Sequence, residues 1–282
     1  MRKALDLALA GLAALAAFVA IGILVGLVAV IAQRGAPAVT WTFLTEQIRL
    51  VGAAGGIFWN VVGTLILLAT ALGVCLPLAV AVALTERVWL RGARARRFVR
   101  TALYTLNGVP TIVLGIFGFI VFVQGCGWGK SWLAGGLVLA LGMLPTVAVA
   151  LIERLHAIPA KYVEAAAALG LRESQIVWAV LLPQARGGLL TGALLALARA
   201  AGETAPIMFT ATIFAGATLP HGVKDSPVLA LPYHIFILAQ DSFDPAVGAK
   251  LWGTALVLLG IVFSLSLTAL PSRLRAHEEA HV

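Results

Sequence analysis

The sequence predicts an all-α integral membrane protein of six transmembrane helices with both termini cytoplasmic. Three observations carry that prediction. Of its 282 residues, 61% are hydrophobic and 11% charged, where soluble domains are roughly half apolar and a quarter charged, and the mean hydropathy is +1.01. Six stretches reach the roughly 20 apolar residues a helix needs to cross about 30 Å of hydrocarbon. Lysine and arginine also alternate between crowded and sparse loops, as cytoplasmic retention of positive charge requires. The whole chain, 1–282, reads as a single transmembrane domain.

The first span, about 5–32, follows Arg2 and Lys3. Its apolar run is about twice the length of a signal-peptide core, so it is expected to be retained as a helix. Gly22 and Gly26 within it form GxxxG, a helix-packing pattern that says little where small residues are so common. The second span is expected over 57–84, the third over 101–123, the fourth over 132–152, the fifth over 187–211 and the sixth over 251–270. Cys75 falls inside a span and Cys126 in a short loop, which argues for no disulfide framework.

The charge pattern orients these spans. Arg2, Lys3, Arg87, Arg91, Arg94, Arg96, Arg97, Arg100, Arg154, Lys161, Arg172, Arg186, Arg273 and Arg275 fall on one side, fourteen in all, against Arg34, Arg49, Lys130, Lys224 and Lys250 on the other. The richer side is the cytoplasm. The pI near 10.2 is therefore a topology signal and implies no nucleic-acid partner. The arginine run from 87 to 100 also suits anionic lipid, although topology alone accounts for it.

Two motif look-alikes fail on position. QGCGWGKS, residues 124–131, approaches the phosphate-binding GxxxxGK[ST], but Gln124 stands where the first glycine belongs and the segment is expected outside the cell. A turn explains it. HEEAH, residues 277–281, matches the zinc-protease HExxH, yet the tail supplies no third ligand and no cleft for a metal-bound water. No metal is expected, and the tail reads as a charged terminus.

The loop from 153 to 186 is far longer than the usual 2 to 8 residues between helices, so it is expected to be structured. An alanine-rich helix over 163–169, Gly170 as its C-cap and a second helical run over 173–182 ended by Pro183 describe a helix, a turn and a helix on the membrane face. An interfacial amphipathic pair with no protein partner would have the same pattern.

This loop resembles that of the permease subunits of bacterial ATP-binding-cassette importers. Their consensus of EAA, three residues, G, nine residues and I-x-L-P aligns with Glu164, Ala165, Ala166, Gly170, Val180, Leu182 and Pro183, with valine for isoleucine the one departure. The resemblance implies a type I importer permease fold in which these residues dock with an ATPase. Small Ala165 and Ala166 would allow close approach, Gly170 a sharp turn, and Glu164 a charge for a basic partner group.

LARAAGETAP, residues 197–206, places Arg199 and Glu203 inside the predicted fifth span, about 18 and 24 Å from its start at 1.5 Å per residue. A charge at such depth costs at least about 2.5 kcal/mol and is a functional signal by default. Mutual neutralisation of i,i+4 neighbours is the plain alternative. Arginine before glutamate is the weaker order for such a pair, and Gly202 and Pro206 disturb the helix, as happens where backbone lines a path. Thr204 offers a further hydroxyl to that path, or bonds its own backbone.

ARAAGETAP followed by IMFTA is similar to the corresponding segment of phosphate-importer permeases, where sulfate and molybdate relatives read GEFGA. NGVPTIVLGIFGF (107–119) and LPYHIFILA (231–239) extend the likeness over nearly the whole chain. That resemblance implies a non-catalytic subunit of the bacterial inner membrane, surrounded by lipid and paired with a second permease subunit, an ATPase dimer and an external phosphate-binding protein. It implies no cofactor in this chain, ATP and magnesium being bound by the ATPase. The external segment 216–248, with Pro220, Pro227, Pro232 and Pro245, is expected to hold short helices and to seat the binding protein or act as a solvated connector. A permease for another oxyanion, a secondary transporter or channel, and an intramembrane hydrolase using HEEAH stay open on the residues alone.

Overall fold

A computed structural model describes residues 2–49, 54–90, 92–240 and 243–278. Its helices are α1 (Arg2–Gly35), α2 (Trp41–Thr45), α3 (Phe58–Leu84), α4 (Ala93–Asn107), α5 (Thr111–Gly118), α6 (Trp132–Ala157), α7 (Ala160–Ala168), α8 (Glu173–Ile176), α9 (Leu182–Ala200), α10 (Ala205–Thr210), α11 (Leu231–Gln240) and α12 (Pro245–Glu278). Two short strands, β1 (Ile48–Arg49) and β2 (Ala54–Gly55), pair antiparallel before α3. Among the described residues, five helical stretches are long and apolar enough to cross a membrane, or six if the bent pair α4 and α5 counts as one.

The core forms around α6. It packs against α3 on one side and α9 on the other, α9 packs in turn on α12, and α1 meets α12. Small residues permit the close approach that association within lipid depends on. A methyl at Gly192 of α9 would stand 2.9 Å from the Ala150 Cβ of α6, and one at Gly188 would stand 2.6 Å from the Arg154 Cβ. By contrast, α1 exposes Leu12, Phe18, Ile23 and most of its length, and nothing lies within 4 Å of where side chains at Gly22 and Gly26 would begin.

Three expectations need correction. The third span is not a straight helix over 101–123, because α4 and the stretch 111–125 meet at 94°. Pro110 lacks an N–H and disfavours helical geometry at the residue before it, so the helix stops at Asn107 and restarts at Thr111. The fifth span likewise does not run unbroken over 187–211. It ends at Ala200, turns through 201–204, and resumes as the short α10. Pro206 cannot donate to the preceding turn but is tolerated at the start of a helix, where it stands in α10.

Pro183, third, does not end the second helix of the long loop. From α8 the chain passes through a π-helical turn, Val177–Leu181, directly into α9. Leu182 N–H bonds to Val177 O in that turn, and the widened ring makes room for proline in a helix that continues. The result is one apolar helical unit from Glu173 to Ala200.

Outside the spans, the expected turn at 124–131 is built around Lys130. Its Nζ donates to the carbonyls of Met208 and Thr212, both at 3.0 Å, clasping the end of α10. Burial holds its pKa below the usual lysine value. Trp132 Nε1 donates to Gly222 O at 2.7 Å, Val228 N–H to Ala211 O at 3.0 Å, and α11 supplies the short helix expected in the external segment. HEEAH extends past the described residues.

Candidate functional site

The two breaks open onto one recess. Asn107, Thr111, Thr146, Arg199, Glu203 and Pro206 line it, together with apolar side chains of α5, α6 and α9. Arg199 occupies the last turn of α9, where the partial negative charge of the helix end favours a cation. Its Nε lies 3.6 Å from Glu203 Oε1, and its Nη1 donates to Asn107 Oδ1 at 3.4 Å. The arginine side chain is 51% exposed and the glutamate 22%, so the pair is open to whatever enters.

Glu203 sits in the turn after α9, not one helical turn further along the same helix. The two charges still meet as i,i+4 neighbours, with the carboxylate beyond the helix end. Thr111 begins α5, whose first N–H groups have no acceptor within the helix and carry the positive end of its dipole. Thr204 heads α10 without a side-chain cap bond and is not among the residues lining the recess. A second recess shares Asn107 and Thr146 with the first and continues to Tyr104 and Glu153, extending the polar line along α4 and α6.

Asn107 escaped the sequence reading. Its signal was the NGVP break, which marks a helix end but not the arginine it meets.

The loop after α6 carries the other set of residues. Helix α7 ends at Gly170 in a positive-φ conformation, φ 78°. Gly170 N–H bonds to Ala167 O at 3.0 Å and Leu171 N–H to Ala166 O at 3.2 Å, the paired bonds of a glycine C-cap. Gln175 Oε1 accepts from Arg172 N–H at 2.8 Å and fastens the start of α8. Glu164, Ala165 and Pro183 are exposed, and Val180 and Leu182 are half-buried.

Ala166 turns inward and is buried with Ile176, Val177 and Leu181. Its small side chain thus serves the packing of α7 onto α8, which leaves Ala165 facing outward. Three apolar side chains that motif reading passed over are also exposed here: Tyr162, Leu169 and Trp178. Large apolar residues grouped with exposed charge mark an interaction surface.

Residues 73–277 match the family described as "Binding-protein-dependent transport system inner membrane component". Among curated relatives, "Probable ABC transporter permease protein YqgI" of Bacillus subtilis is 32% identical over 219 residues, 78% of this chain and 73% of that protein. "Phosphate transport system permease protein PstA 2" of Mycobacterium tuberculosis is 34% identical, covering 82% and 78% of the two chains. "Probable phosphate transport system permease protein PstA" of Methanocaldococcus jannaschii is 35% identical, covering 83% and 82%. Among solved structures, an inward-facing methionine transporter, MetNI, superposes with a TM-score of 0.56 at 20% identity over 76% of this chain and 91% of that one, a likeness of fold.

Proposed function

The chain belongs to the family of inner-membrane components of binding-protein-dependent transport systems, and from that premise we propose that it is half of the translocation path of an ATP-driven phosphate importer. As an importer permease it is a transport subunit and not an enzyme, and it works with an ATPase and a binding protein. The finer assignment is supported by relatives named for phosphate transport and by the Arg199–Glu203 recess at two helix breaks. That recess is the observation that carries it.

In this reading the loop from Glu164 to Gln184 faces the cytoplasm, both termini lie inside, and the exposed face with Glu164, Ala165, Leu169 and Trp178 docks on the ATPase. Because α8, the π turn and α9 are one unit, a push on α8 travels along roughly 40 Å of helix at 1.5 Å per residue. It arrives at Arg199. There the guanidinium exchanges Glu203 for the oxyanion, which it suits bidentately. Glu203 then accepts a hydrogen bond from the proton that hydrogen phosphate carries and sulfate lacks, so that sulfate meets an unrelieved carboxylate. A second permease subunit completes the path.

The test is ATP-driven uptake of labelled phosphate by the reconstituted assembly. Arg199→Ala should lower uptake by at least about tenfold, the scale of losing one charge-assisted contact. Glu203→Gln should retain uptake but admit sulfate as a competitor. An unmutated rate in Arg199→Ala would refute the phosphate path, and sulfate exclusion unchanged in Glu203→Gln would refute the selectivity role. A permease for another oxyanion would show instead as uptake of that anion in preference to phosphate.

A further inference from the structure

Glu86 is charged, fully buried, and absent from the recess and the docking loop alike. It lies in the π-helical turn Thr85–Trp89 that ends the α3 unit. Its Oε1 accepts from Arg100 Nε of α4 at 2.8 Å, and its Oε2 meets His156 Nε2 of α6 at 2.8 Å. One carboxylate therefore joins three elements. A second tie runs between the same regions, from Arg87 Nε to Leu155 O at 3.4 Å.

Stability is a poor reason for such a cluster. Burying the Glu86 carboxylate costs desolvation that a well-packed apolar replacement avoids, and its two partners stay partly exposed. The positions of the partners matter more. His156 is in the last turn of α6, just before α7 begins at Ala160. Arg100 and Asn107 are seven residues apart on α4, hence on one face and about 10 Å apart along the axis. The first touches Glu86 and the second touches Arg199.

We propose that Glu86 is a positioning residue for gating: it clamps α4 to the cytoplasmic end of α6 and so sets Asn107 against Arg199. Motion of the docking loop then reaches the recess by two routes. One is α9 itself, and the other runs from the end of α6 through Glu86 and along α4. When both arrive together, Asn107 and Arg199 move in register; without the clamp, α9 moves while α4 lags. This inference rests on the importer reading above.

The experiment compares phosphate imported with ATP hydrolysed in proteoliposomes holding the complete transporter. Glu86→Gln removes the charge and keeps the shape, and His156→Leu removes one arm only. Each should assemble with its partners, hydrolyse ATP, and consume about fivefold more ATP per phosphate imported, in the range by which coupling networks are perturbed. His156→Lys, which restores a donor to Glu86, should return the ratio towards the unmutated value.

An unmutated ratio in Glu86→Gln overturns the inference. If that variant fails to assemble, an unmutated ratio in His156→Leu overturns it. A raised ratio that His156→Lys does not restore also overturns it, since the role would then be packing. Arg199→Ala, run alongside, separates the two claims: import lost there with coupling intact in the Glu86 variant refutes the clamp alone, whereas import retained in Arg199→Ala refutes the path on which it rests.

Discussion

Arg199 and Asn107 are 92 positions apart in the chain and 3.4 Å apart in space. Hydropathy flagged the arginine because a charge in an apolar run is costly wherever it lies. An asparagine at a helix end carries no such cost, and nothing local specifies its distant partner. The same asymmetry separates Ala165 from Ala166: both fit the motif, but only packing of α7 on α8 turns the second inward. Gly170 was legible from chain chemistry, because an alanine-rich helix needs a residue that accepts positive φ to end it. No atom lies within 4 Å of where its Cβ would be, so a substitution there tests backbone conformation alone. Gly170→Ala should cost about 1 kcal/mol in the loop and reduce retention of the ATPase on immobilised complex by about fivefold. Gly170→Asn, which tolerates that conformation, should retain more ATPase than the alanine variant. Equal retention in all three proteins would show that the turn does not shape the docking face.

Composition places the apolar helices well, since length and hydropathy suffice for that. It does not show how they bend. The breaks at 108–110 and 201–204 depend on prolines whose effect was legible in kind, yet α4 turning through 94° and α9 stopping at Ala200 follow from which elements then pack, α5 against α10. Pro183 shows the converse. A residue that reads as a terminator is absorbed by a π turn, because α9 has more to gain by continuing against α6. That contact is itself testable. Gly192→Val would drive a side chain into Ala150 and Val147, whereas Gly187 has open space around it. Gly192→Val should destabilise the solubilised protein by about 1 to 3 kcal/mol and lower its thermal midpoint, and Gly187→Val should leave the midpoint nearly unchanged. Similar midpoints for the two would mean that α6 and α9 are not in close contact.

Over the whole molecule, the fold provides a bundle with α6 at its centre, a structured loop at the end of that helix, and a charged recess at paired helix breaks. The long exposed face of α1 and the uncovered Tyr162, Leu169 and Trp178 around α7 and the π turn suit a chain that is completed by lipid and by other subunits. Sequence supplied the family through the EAA consensus and the ARAAGETAP segment, and it located the apolar stretches without the breaks in the third and fifth. The clamp at Glu86 was illegible, since glutamate after an apolar run reads as an ordinary helix-end charge until α4 and α6 enclose it. The central claim is that force from a cytoplasmic ATPase reaches a phosphate-selective recess through this chain. ATP hydrolysis by the complete reconstituted transporter, with the external binding protein offered phosphate or sulfate, tests it most directly. The account predicts hydrolysis stimulated by phosphate and not by sulfate; equal stimulation by both, or by neither, would contradict it.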